Sequence, residues 1–116
     1  MHEFAICENL LKQVSGIVAE HNGSGVDSIH LQVGPLSGVV PELLRSAFPI
    51  AAANTVAAGA QLVIHQAPVR VHCQHCHAES EASPNRLLCA ACGDWHTQLL
   101  SGDELLLERV ELKTEH

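Results

Sequence analysis

The sequence predicts an α+β fold: a small three-stranded sheet with two helices on one face, and a cysteine-bearing module inserted before the last strand. Three observations predict it. Apolar residues recur at helical spacing over residues 4–22 and again after Pro41. Strand-like runs occupy residues 28–33, 61–72 and 102–115. Four of the five cysteines fall between 73 and 92, in a stretch that holds little else. The order is therefore αβαβ, the cysteine module, then β. Hydrophobic residues make up 47% of the 116 and aromatics only 3%, so the core must be filled by Leu, Val, Ile and Ala.

In the first helix Cys7, Leu10, Leu11, Val14, Ile17 and Val18 line one face at the i, i+3, i+4, i+7 spacing, and Cys7 therefore reads as core. Glu3 and Glu8 suit the positive end of its dipole, and Asn22-Gly23 supplies the stop through glycine's access to left-handed backbone. Ile29, Leu31 and Val33 then alternate with Ser28, His30 and Gln32 as a strand, and Gly34-Pro35 and Ser37-Gly38 mark a turn-rich loop. Pro41 opens the second helix, which meets Pro49 and is expected to kink or stop there, because proline removes a backbone donor. From Gln61 the pattern is strand-like, with Pro68 implying an edge strand or bulge. The last strand carries Leu105, Leu106, Leu107, Val110 and Leu112 with an alternation that slips phase midway, so its faces stay unassigned. Residues 1–70 with 102–116 are expected to form the α+β domain, and 71–101 the inserted module.

The net charge of −7 opposes phosphate backbones and anionic lipid, which points away from nucleic acid and membrane and suits a partner with a basic face. The most apolar stretch, 48–64, is broken by Pro49, Asn54, Gly59 and Gln61 and does not read as a membrane span. The first twenty residues lack the basic and apolar regions of a secretory signal, and five cysteines are an odd count; both favour a reducing compartment, the cytoplasm.

Cys73-Gln74-His75-Cys76 and Cys89-Ala90-Ala91-Cys92 are separated by twelve residues, the way a chain wraps a tetrahedral ion with two ligands per tight turn. The ligand set suits Zn²⁺, and four sulfurs leave no open position, so the ion is structural: a zinc-ribbon-like module. A rubredoxin-like iron site uses the same ligands but would be expected among aromatics, and only Trp95 is near. Redox-active pairs are a weaker alternative. His72, His75, His77 and His96 crowd the module; their plain reading is exposed loop polarity, and the sharper one gives His77 or His96 a secondary, pH-responsive role at the metal.

The chain begins Met1-His2-Glu3. A free amine, the deprotonated amide of His2 and its imidazole close fused chelate rings, a nitrogen-rich square-planar set that suits Ni(II) or Cu(II), with Glu3 able to complete it through side chain or backbone. The bulk of His2 also blocks removal of Met1, which preserves the spacing.

Together, Met1-His2-Glu3, the first helix, Val33-Gly34-Pro35-Leu36-Ser37-Gly38-Val39, the paired C-x-x-C turns and Gly102-Asp103-Glu104-Leu105 resemble the HypA/HybF family of hydrogenase maturation proteins, in order and over essentially the whole chain. The resemblance implies a nickel metallochaperone and no enzyme. It implies nickel at Met1, His2 and Glu3, zinc at Cys73, Cys76, Cys89 and Cys92, a nickel-binding GTPase as partner, and delivery to the [NiFe]-hydrogenase large subunit. Some members also serve urease, and a homodimer is compatible. Two departures stand out: Pro49 inside the second helix, and Gly93-Asp94-Trp95-His96 after the second pair, which leaves no histidine directly behind it. The rival reading is a zinc-ribbon interaction module in transcription or nucleic-acid binding. Between the cysteine pairs Glu79 and Glu81 oppose a single Arg86, with no basic stripe to support it.

Overall fold

The computed structural model describes residues 3–113. Helix α1 (Glu3–Glu20) leads into β1 (Val26–Val33), then α2 (Pro41–Ala52) and β2 (Gln61–Gln66). Four further strands follow: β3 (Arg70–Cys73), β4 (Glu79–Glu81), β5 (Thr97–Ser101) and β6 (Leu105–Leu112). They form two three-stranded sheets, in the orders β2-β1-β6 and β4-β3-β5. In the first sheet β2 runs parallel to β1, with α2 as the crossover between them, and β6 runs antiparallel. The fold is α+β as expected, but the cysteine module carries a sheet of its own.

One core lies between the first sheet and both helices. Cys7, Leu10, Leu11, Val14 and Val18 from α1 meet Leu44, Phe48 and Ala52 from α2 over Val26, Ile29, Leu31 and Val33 of β1. Cys7 is fully buried, and its thiol reaches the Leu44 carbonyl at 3.8 Å, which fits a packing role. Ser28 and His30 turn to the opposite face of the sheet, where His30 meets His65 and Arg109.

Several local expectations change. The stop of α1 rests on Asn22, not Gly23: Asn22 takes φ 52°, and the amide of Gly23 closes back on the Val18 carbonyl at 2.9 Å. Gly23 instead admits Val18 and Leu112, each 3.4 Å from where its Cβ would stand. Helix α2 runs three residues past Pro49, because Phe48 and Ala52 are both anchored in the core. Pro68 neither edges nor bulges a single strand; it separates β2 in one sheet from β3 in the other. The phase slip in β6 is a bulge. Leu107 pairs with Leu31 and Arg109 with His30, so Glu108 is the extra residue, and Leu107, Val110 and Leu112 all reach the core.

The crossing between the sheets is tight. Gly34 donates to the Glu104 carbonyl at 2.8 Å and Leu36 to the Gly102 carbonyl at 2.7 Å. A Cβ on Gly34 would stand 2.0 Å from the Gly102 carbonyl oxygen. Gly102, at φ 122°, presses in turn on Val69.

Candidate metal centre

The two cysteine turns are built alike. In each, the amide of the first cysteine bonds the carbonyl five residues on: Cys73 to Ala78 at 2.9 Å, Cys89 to Asp94 at 3.0 Å. The residue after the second cysteine bonds back to the first, His77 to Cys73 at 3.0 Å and Gly93 to Cys89 at 2.8 Å. Both of those residues take positive φ, 64° for His77 and 79° for Gly93, which turns the chain sharply enough to aim its paired sulfurs the same way. Cys73 ends β3, and β5 starts four residues after Gly93, so the small sheet holds the two turns face to face.

The four sulfurs lie within 4.8 Å of one another. Cys73 Sγ is 3.6 Å from Cys92 Sγ, and Cys76 Sγ is 3.6 Å from Cys89 Sγ. A tetrahedron with Zn–S bonds near 2.3 Å has edges of about 3.8 Å, so the residues fit a tetrahedral ion with little adjustment. The amides of His75 and Cys76 both point at Cys73 Sγ, at 3.3 Å, and stabilise negative charge there. The thiols share the burden unequally. The Cys92 amide holds Cys89 down to about 6, outweighing desolvation. Cys92 is pushed up to about 12, because desolvation and the three neighbouring sulfurs outweigh the Asp94 amide. A cluster that resists full ionisation alone accepts it once a divalent cation supplies the charge.

The histidines sit around this cage and outside it. His77 is exposed, its ring tilted against His72 with centroids 5.9 Å apart. His96 Nδ1 pairs with Asp94 Oδ1 at 3.0 Å, and that hydrogen bond holds the Asp94 carboxyl below its ordinary value. Among the described residues, the four cysteines form the one group of three or more donors close enough to share an ion.

The sequence matches, over residues 1–112, the family described as "Hydrogenase/urease nickel incorporation, metallochaperone, hypA". The chain belongs to the HypA family. Hydrogenase maturation factor HypA of Nitrosospira multiformis is 45% identical over 114 residues, covering 98% of this chain and 99% of that one. The Aquifex aeolicus factor of the same name is 36% identical, covering 99% and 100%. The solution structure of the Ni metallochaperone HypA from Helicobacter pylori has a TM-score of 0.71 at 20% identity, covering 99% of this chain and 100% of that one, and so shares the fold. A second solution structure titled as HypA protein superposes with a TM-score of 0.76, also at 20% identity, covering 99% and 98%.

Of the terminal trio seen in this HypA sequence, Met1 and His2 lie outside the described residues. Glu3 opens α1 and is 7% exposed. Its Oε2 accepts the Val40 amide at 3.4 Å, just ahead of α2, where Val40 offers no side-chain cap. The start of α1 is thereby fastened beside the start of α2. No residue period signalled this bond. The turn that brings Val40 there, with the Val39 amide bonded to Ser37 Oγ at 3.2 Å, belongs to the loop that sequence reasoning saw only as turn-rich.

Proposed function

We propose that the chain is a nickel metallochaperone that binds Ni(II) through Met1, His2 and Glu3 and passes it to the [NiFe]-hydrogenase large subunit, alongside a nickel-binding GTPase. Zn²⁺ at Cys73, Cys76, Cys89 and Cys92 is the structural ion of this reading, and residues 71–101 are its module, set into a domain of residues 1–70 and 102–116. The observation that carries the reading is a family match that runs through residue 1 in a chain whose four sulfurs stand at tetrahedral spacing.

The Met1 amine and the amide and imidazole of His2 supply three nitrogens. Because the Glu3 carboxylate is turned inward to Val40, Glu3 completes the set through its backbone amide. An ion held at a chain end by few ligands exchanges readily into a second protein's site, as a carrier requires. Among the described residues no helix is long and apolar enough to cross a membrane. The reading places the protein in the cytoplasm.

The test compares the native chain, His2→Ala and a chain extended before Met1, all zinc-loaded, by equilibrium dialysis and the ligand-field spectrum of nickel. Both changes are expected to abolish the nitrogen-rich nickel band while zinc content stays at one per chain. If the three forms give the same band, the N-terminal site is wrong.

A further inference from the structure

We propose that His30 and His65 form a second site for a divalent transition ion, on the sheet face turned away from the helices. The site stands apart from the chain's N-terminus and from the cysteine cage. His30 sits at the centre of β1 and is 7% exposed; His65 stands on edge strand β2 with its side chain half exposed. Their facing nitrogens, His30 Nδ1 and His65 Nε2, are 3.0 Å apart. That separation is an N–H···N hydrogen bond in the ion-free pair, and it also matches the roughly 3.0 Å between two imidazole nitrogens bound cis to one ion at about 2.1 Å.

The surrounding groups prepare His30 as a ligand. Its Nε2 lies 2.9 Å from Glu111 Oε1, and an ionised carboxylate only accepts, so Nε2 carries the proton and Nδ1 bears the lone pair. Ser28 Oγ donates to the same Glu111 oxygen at 2.7 Å and stands 3.3 Å from His30 Nε2. A carboxylate that orients a histidine through its other nitrogen is the usual support of a metal-bound imidazole. The two rings lie within 11° of parallel with centroids 5.3 Å apart, so their nitrogens meet edge to edge. His30 is held by Glu111, so an ion on its Nδ1 lone pair takes the place that His65 Nε2 now holds, and His65, at the open edge, swings aside to turn its own lone pair onto that ion. His65 then moves its proton from Nε2 to Nδ1 and stays neutral, so no net proton is released. Glu108 Oε1, 4.0 Å from His65 Nε2, is the bulged residue of β6 and adds negative charge beside the two imidazoles, with water filling the remaining positions on the ion. One group opposes the ion: Arg109 Nη2 stands 3.4 Å from His30 Nδ1 and 3.2 Å from its Nε2. Its charge is outweighed by Glu108 and Glu111, and its side chain is mostly exposed and free to turn outward.

The test uses the full chain, zinc-loaded and extended before Met1 so that the N-terminal amine is unavailable for chelation, with Ni(II) salt alone as the probe. Paramagnetic broadening of amide NMR signals is expected to centre on residues 28–32, 63–66 and 107–111. His65→Gln, at an exposed edge position that leaves the rest of the spectrum unchanged, is expected to abolish it. Arg109→Ala is expected to tighten binding about fivefold by removing a nearby cation, an effect a purely structural network would not show. Broadening confined to other parts of the chain, or broadening on these strands that survives His65→Gln, overturns the site. Because the extended chain lacks the N-terminal chelate, failure here is separate from failure of the carrier reading.

Discussion

Glu111 is tied to Ser28 and His30, and those bonds, aided by Arg109, hold its carboxyl below the ordinary 4.5 despite partial desolvation. A carboxyl with a depressed folded value adds stability above its unfolded value and loses it as pH falls through the folded one. Acid unfolding followed by circular dichroism should therefore show a Glu111→Gln chain less stable than the parent at pH 6 and nearer to it below pH 4. Gly34 is constrained by space, since any Cβ would collide with the Gly102 carbonyl. Gly34→Ala should lower stability by about 3 kcal/mol or more in urea titration, as backbone must move apart. The donor residues of the cysteine cage were legible one by one, because C-x-x-C spacing states its geometry directly. His30 was not: on an alternating strand it reads as a solvent-facing residue, and only the register that opposes it to Arg109 and sets it beside His65 gives it company.

Helices and strands were legible where periodicity runs unbroken. The buried faces of α1 and β1 follow their apolar spacing, except that Ile17 is only half-buried and stays out of the core. Reading failed where one residue departs from the period for a tertiary reason. Glu108 shifts the alternation of β6, and its role appears only against β1. Pro49 suggested an end to α2 because the lost donor is a local effect, whereas Phe48 and Ala52 are held by contacts from distant chain. Leu44 is fully buried between the helices, and Leu44→Ala should lower stability by about 2–5 kcal/mol in thermal or urea unfolding. At the end of α1, Asn22→Gly should be nearly neutral while Asn22→Ala should cost about 1 kcal/mol, since alanine lacks both glycine's freedom and asparagine's tolerance of left-handed backbone.

Across the whole molecule, stability has two unlike sources. The larger sheet rests on helices packed over aliphatic side chains, while the smaller one buries Val69, Val71, Cys73 and Cys89 and little else. A module with so thin an interior depends on its ion, whose binding contributes directly to folding. Cys73→Ala, or a chelator strong enough to strip the metal, should collapse amide dispersion for β3, β4 and β5 in NMR spectra while that of α1, β1 and β2 persists; simultaneous loss of both sets would show the two halves to be one cooperative unit. The sequence announced the metal but not the second sheet, because strands of three to five residues are too short to establish an alternation. The contact of Gly102 with Val69 has a further consequence. The polypeptide leaves one body and re-enters it at nearly the same point, so residues 71–101 are expected to behave as a cassette on a common stem. A gene splice joining Val69 to Gly102 through a two-residue bridge should yield a shortened protein that still folds its larger half, and grafting a foreign cassette onto that stem should be tolerated equally well.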